Sequence, residues 1–152
     1  MNDALVHYQT NRKLLLIIGG ITIVVDLLLC LIFLMFLPTL VPFFLICIII
    51  GFFIIGVANI KIVTSLEGIE LYQFGFYTKS HWHNVARIAP YQSGKVSAQA
   101  IYFHQPTKQF FIFFPFKPSS SIIMIPLYQF KFDDNSELKR ALRFYRPDLF
   151  ND

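Results

Sequence analysis

The sequence predicts a membrane α-helical hairpin followed by an α+β, mainly-β domain, a bent antiparallel sheet of about seven strands capped by a C-terminal helix. Three observations carry this. Between Leu14 and Ile60 there is one charged side chain, Asp26, in an apolar tract broken only at Pro38-Thr39-Leu40-Val41-Pro42. From Lys61 the pattern changes to short β-branched and aromatic runs separated by turn residues. Near the C terminus, Leu138, Ala141, Leu142 and Tyr145 form a single stripe at i, i+3, i+4 and i+7.

The first element is the hairpin. At about 1.5 Å per residue, Leu14–Leu37 makes a helix of about 36 Å and Phe43–Ile60 one of about 27 Å, against a hydrocarbon core of about 30 Å. Both can span, so residues 1–60 divide into a tail and a two-helix transmembrane hairpin (14–37 and 43–60), and 61–152 form a surface domain. The apolar run is too long for a cleaved signal peptide, and no small-x-small site precedes Pro38. Arg12 and Lys13 precede the hairpin and Lys61 follows it, while the link carries no charge. The positive-inside rule then places both termini in the cytoplasm of an inner-membrane, multi-pass protein. The two cysteines, Cys30 and Cys47, lie inside the spans, so no disulfide framework supports the domain.

Within the spans, Gly19 and Gly20 on the first helix and Gly51 and Gly56 on the second are the small residues that let helices approach. They serve close packing within the hairpin or a self-association face. Asp26 falls about 18 Å into the first helix, near the midplane. A central Asp costs about 2.5 to 3.5 kcal/mol to insert and needs a hydrogen-bond partner. Thr22 and Cys30 share its face at i−4 and i+4, the second helix near Gly51 stands opposite, and neither span holds a Lys, Arg or His. An intramembrane contact through Asp26 and Thr22, to a second copy or a partner membrane protein, is expected ahead of ion conduction.

The domain follows. Strands are expected at Ile60–Thr64, Ile69–Phe74, Phe76–Trp82, Arg87–Gln92, Ala98–His104, Gln109–Phe114 and Ile122–Ile125. Turns are expected at Glu67-Gly68, Gly75, Ser93-Gly94, Gln105-Pro106-Thr107 and Lys117-Pro118-Ser119. Asp134, with Glu137 three residues on, is placed to cap the helix, and Pro147 ends it.

The run Thr64–Ile88, TSLEGIELYQFGFYTKSHWHNVARI, resembles the opening of bacterial pleckstrin-homology-like (PH-like) domains, in which a Gly turn and a hairpin lead to a W-x-x-I/V-x-x-I segment, here Trp82, Val85 and Ile88. Ile125–Phe150 resembles the family's ending, an Ile-Pro-Leu strand end followed by a helix and a proline. Many such proteins carry two membrane spans before the domain. The resemblance implies a strongly bent seven-stranded sheet capped by a helix, with no common catalytic residues and no established ligand.

Function classes narrow accordingly. The domain contains no Ser-His-Asp order, phosphate loop, paired carboxylates or Cys nucleophile, and no enzyme or cofactor is expected. His81 and His83 flank Trp82 at a spacing open to a metal, but two ligands are too few, so no metal is expected. The first turn, Leu66-Glu67-Gly68, lacks clustered cations, which argues against specific phosphoinositide binding, and the net charge of +4 is ordinary solubilising charge rather than a nucleic-acid surface. The run Phe110–Phe116 is apolar on both faces, and Phe111 and Phe113, flanked by Lys108 and Lys117, are expected to meet the lipid bilayer surface or a partner. Lys139, Arg140 and Arg143 mark a further contact surface on the C-terminal helix. The expected function is a non-enzymatic scaffold or accessory subunit, and the alternative is a small oligomeric channel or transport component using Asp26.

Overall fold

A computed structural model describes residues 4–93, 96–111 and 114–150. The chain forms two compact units. One holds Asn11–Asn59; the other joins the N-terminal residues to everything from Ile60 onward.

The first unit is a pair of apolar helices, α1 (Arg12–Phe36) and α2 (Val41–Ala58), joined through a 3₁₀ turn at Pro38–Leu40. Both are long and apolar enough to cross a membrane. α2 starts ahead of Pro42 because a proline costs nothing in a first turn, where its missing N–H has no partner to lose. It stops at Ala58, and the Asn59 side chain donates to the Ile55 carbonyl at 3.0 Å.

One stripe of α1 makes the seam. A Cβ on Gly19 would lie 2.8 Å from Ile55 Cγ1 and 3.0 Å from the Gly51 carbonyl oxygen, and one on Gly51 would lie 2.6 Å from Ile23 Cγ1. Farther along, Cys30 Sγ lies 3.9 Å from the Val41 carbonyl and Phe33 stacks on Phe44 at 5.2 Å. Gly20 is a correction: nothing comes within 4 Å of the place its Cβ would take, so it does not pack the hairpin as Gly19 does.

The second unit is a curled antiparallel sheet of seven strands with a C-terminal helix. The strands are β1 (Leu5–Tyr8), β2 (Lys61–Thr64), β3 (Gly68–Gln73), β4 (Phe76–His81), β5 (Val85–Ser93), β6 (Val96–Phe111) and β7 (Phe114–Pro126). Their order is β1-β2-β3-β4-β6-β5, with β7 on the other side of β6. β6 is the spine. Its first half pairs with β5 and its far end with β4, while β7 runs along its opposite edge.

The strand count agrees with expectation, but its composition differs in two ways. The sequence alone assigns Leu5–Tyr8 to the hairpin tail; instead it pairs antiparallel with Lys61–Thr64 as the edge of the sheet. The turns expected at Gln105-Pro106-Thr107 and Lys117-Pro118-Ser119 do not end strands. Pro106 falls in a register slip between Tyr102 and Thr107, and Pro118 stands opposite Phe110 beside a second slip. A proline that cannot donate to the ladder is tolerated where the ladder is already interrupted, and such bulges bend a strand rather than stop it.

Alternation fills the interior. Ile62, Ile69, Leu71, Val85, Ile101 and Ile125 point inward and are 2% exposed or less. Gly68 is required by space, since a Cβ there would sit 2.1 Å from the Ser80 carbonyl oxygen. Gly75, at φ 75°, takes the left-handed conformation in the tight turn from β3 to β4. The helix α3 (Glu137–Tyr145) buries Leu138, Ala141 and Leu142, the expected stripe. Its cap is Ser136, not Asp134. The Ser136 Oγ accepts from the Lys139 N–H at 3.2 Å, whereas Asp134 lies outside the helix and pairs with the Lys139 ammonium at 2.7 Å.

Candidate functional site

β4 and β5 pair with the same edge of β6, and the chain passes between them through a 3₁₀ turn, Trp82–Asn84. At this corner the β6 residues between Phe103 and Gln109 have no ladder partner on that edge. Asn84 takes the ladder's place. Its amide nitrogen shares two protons among three acceptors, Ser80 Oγ, the Gln105 carbonyl and Thr107 Oγ1 at 3.0 to 3.2 Å, and its carbonyl accepts from the Gln105 N–H at 2.9 Å.

The other side of the turn is anchored by α3. Trp82 donates from its indole to the Ser65 carbonyl at 2.8 Å and stacks on Tyr145 with centroids 5.1 Å apart. Arg146, just past the helix, donates to the carbonyls of Trp82 and Val85, and Asp148 holds its guanidinium at 2.6 Å. The W-x-x-V segment is thus a structural corner.

An open groove of about 570 Å³ lies at this corner, walled by Lys79 and His81 of β4, His83 and Asn84 of the turn, and His104 and Lys108 of β6 among others. The His81 and His83 rings stack nearly parallel at 5.5 Å, although His83 sits on the turn and not on a strand. His81 Nδ1 lies 3.1 Å from the Glu67 carbonyl, an acceptor only, so Nδ1 carries the proton. The Lys79 ammonium bridges Glu67 at 2.7 Å and Glu70 at 3.3 Å, and these bonds raise its pKa while lowering that of Glu67. Tyr72 donates to Glu70 at 3.0 Å, and burial together with that bond pushes its pKa up to about 12. Among the described residues no three His, Cys, Asp or Glu gather tightly enough to hold a metal ion.

The second polar feature is His7 on β1. It is buried, with Nε2 3.1 Å from Thr64 Oγ1 on the neighbouring strand. Burial lowers its pKa, and the nearby Glu137 carboxylate opposes the shift.

The expected site residues scatter. Asp26 is spaced seven residues from both Gly19 and Phe33, which puts it on the α1 stripe that meets α2, and its carboxylate forms no hydrogen bond or ion pair among the described residues. Gly51 stands against Gly19 and Ile23, nearer the start of α1 than Asp26. Thr22 is half-buried on α1, and Gly56 lies in α2, where its carbonyl accepts from the Asn59 N–H at 3.2 Å. Phe111 is half-buried, packed on Phe76 across the β4–β6 ladder at 5.3 Å. Phe113 lies outside the described residues, and Lys117 falls on β7. Lys108 belongs to the histidine groove.

The α3 cations divide. Lys139 and Arg143 lie over the Phe150 ring at 5.9 and 5.2 Å, whereas Arg140 lines shallow grooves shared with β1. Asn84 and Arg146 organise this corner, a role the sequence alone does not assign to them. The tripeptide Trp-His-Asn carried a signal for a turn, because Asn satisfies irregular backbone, but the partner at Gln105 is visible only in three dimensions.

No protein-family profile, curated protein or solved structure matches the chain.

Proposed function

We propose that this is a two-span protein of the bacterial inner membrane whose cytoplasmic PH-like domain acts by contact, as a scaffold or accessory subunit, rather than by catalysis. The observation that carries the reading is the way the hairpin joins the sheet. Three residues separate β1 from α1 and two separate α2 from β2, and β1 and β2 are adjacent antiparallel partners. A sheet strung this closely onto two apolar helices is a membrane-held domain, and pairing of the two connecting strands supports a hairpin with both ends on one side. Arg12, Lys13 and Lys61 at those ends favour the cytoplasm. The bent seven-stranded sheet with its helix supports the PH-like assignment.

Asp26 favours assembly as the mode of action. A half-buried carboxyl without a partner among the described residues calls for a donor from outside the hairpin, a second copy or another membrane protein. The alternative, an oligomeric channel or transporter using Asp26, draws on the same residue. Crosslinking of native membranes followed by mass spectrometry tests the first reading, with Asp26→Asn expected to change the size of the crosslinked species and no ion flux in proteoliposomes. Flux that disappears in Asp26→Asn while crosslinked species persist establishes the alternative instead.

A further inference from the structure

The corner groove has a composition that the scaffold reading leaves unused. His81, His83, His104 and Lys108 line it from a strand, a turn and a second strand, and among the described residues no carboxylate does. Three of the four histidines in the chain are here. Lys79 at the rim is committed to Glu67 and Glu70, whereas Lys108 is exposed and forms no ion pair among the described residues. The volume, about 570 Å³, falls within the range of small-molecule sites.

We propose that this groove binds a phosphate-bearing anion. Two features select that chemistry. The nearly parallel imidazoles of His81 and His83, 5.5 Å apart, are set as separate donors and not as a chelate around one ion. Donors arriving from several walls suit a tetrahedral group with three or more acceptor oxygens better than a planar carboxylate, which is best met edge-on by a fork. Lys108 supplies the charge and the imidazoles supply direction.

His81 adds a signature. Its Nδ1 proton is given to the Glu67 carbonyl, so Nε2 can donate to the anion only by taking up a second proton. The charged and titratable groups around it are Glu67, Glu70, Lys79, His83, His104 and Lys108. Binding of the anion therefore carries that second proton onto His81 Nε2.

The same chemistry is offered by a soluble phosphate compound or by a lipid phosphomonoester headgroup, and two arms separate them. The full chain, ¹⁵N-labelled at histidine, is placed in phosphatidylcholine nanodiscs and titrated with inorganic pyrophosphate. In the second arm no pyrophosphate is added and the nanodiscs contain phosphatidic acid. The expected result in at least one arm is movement of the His81, His83 and His104 ring signals, with His81 becoming doubly protonated, while buried His7 stays unchanged as the internal control. Lys108→Ala weakens binding about tenfold, the size of one lost charge-assisted hydrogen bond, and Lys131→Ala, the same charge change on another surface, leaves it intact. Groove signals that do not move in either arm overturn the proposal. So do equal movement of His7 and equal weakening by Lys131→Ala.

Discussion

Arg146 donates to the main-chain carbonyls of both Trp82 and Val85, and the second of these bonds is 2.8 Å long. One guanidinium thus ties the end of the capping helix to the turn where the sheet changes direction. Arg146→Ala leaves those carbonyls without their charged donor and is expected to cost about 2 to 3 kcal/mol, the scale of hydrogen bonds to a charged group. Arg146→Lys restores only part, because an ammonium lacks the guanidinium's fixed fork. Urea unfolding of the full chain in detergent, followed by the fluorescence of the single Trp82, measures both.

Asn84 performs the equivalent task for β6. Asn84→Asp keeps the acceptor for the Gln105 N–H and removes the donor to Ser80, Gln105 and Thr107. A loss of about 2 kcal/mol is expected. Amide exchange should accelerate between His104 and Lys108 before it changes in β2 or β3. Uniform acceleration across the sheet would falsify the local role.

Thr78 points the other way. Its hydroxyl is buried, the residue is 1% exposed, and it finds no hydrogen-bond partner among the described residues. Thr78→Val replaces that oxygen with a methyl of similar shape and should stabilise the chain by about 1 kcal/mol. The check is an upward shift of the urea midpoint with an unchanged slope.

His7 makes the edge strand sensitive to acid. Burial lowers its folded pKa below the ordinary histidine value of 6.5, so the unfolded chain binds more protons in the interval between the two. Its contribution to stability is full above the unfolded value and is lost as the pH falls from there through the folded one. Protection factors at Leu5–Tyr8, which allow for the intrinsic pH dependence of amide exchange, should therefore fall on mild acidification. His7→Gln, which can still hydrogen-bond Thr64, should flatten that dependence.

Gly19 and Gly20 are adjacent in sequence and opposite in consequence. Gly19→Ala forces its Cβ onto Ile55 and the Gly51 carbonyl, whereas Gly20→Ala meets nothing within 4 Å. Gly20→Ala should raise hairpin stability by up to about 1 kcal/mol through helix propensity, and Gly19→Ala should lower it. Steric trapping or thermal unfolding in detergent gives both signs, and equal effects would show that the seam does not run through Gly19.

The long apolar tract and the Leu138 stripe were legible in sequence because each repeats a single requirement many times. The corner was not. Pro106 and Pro118 read as turns by local chemistry, and only pairing with β5, β4 and β7 along one spine keeps β6 and β7 continuous past them. β1 was hidden for a different reason: Leu5-Val6-His7-Tyr8 is too short for its alternation to stand out, and its partner lies beyond the whole hairpin. Phe111 is half-buried and its ring also packs on Phe76, a cross-strand contact that needs the β4–β6 pairing to be seen. Lys139 and Asp134 both stand out in the sequence, but as a contact residue and a cap rather than as each other's partner.

Inserting α1 and α2 between β1 and β2 fixes the order of events during synthesis. Leu5–Tyr8 leaves the ribosome first among the strands, yet its template, Lys61–Thr64, emerges only after both apolar helices have been made. Until then the strand has no template, and the sheet's outer edge is finished by residues older than the apolar segment that follows them. A fragment begun at Lys61 would omit this edge and leave the β2 backbone bare to neighbouring chains, so self-association of such a fragment would report the missing strand and not a native oligomer.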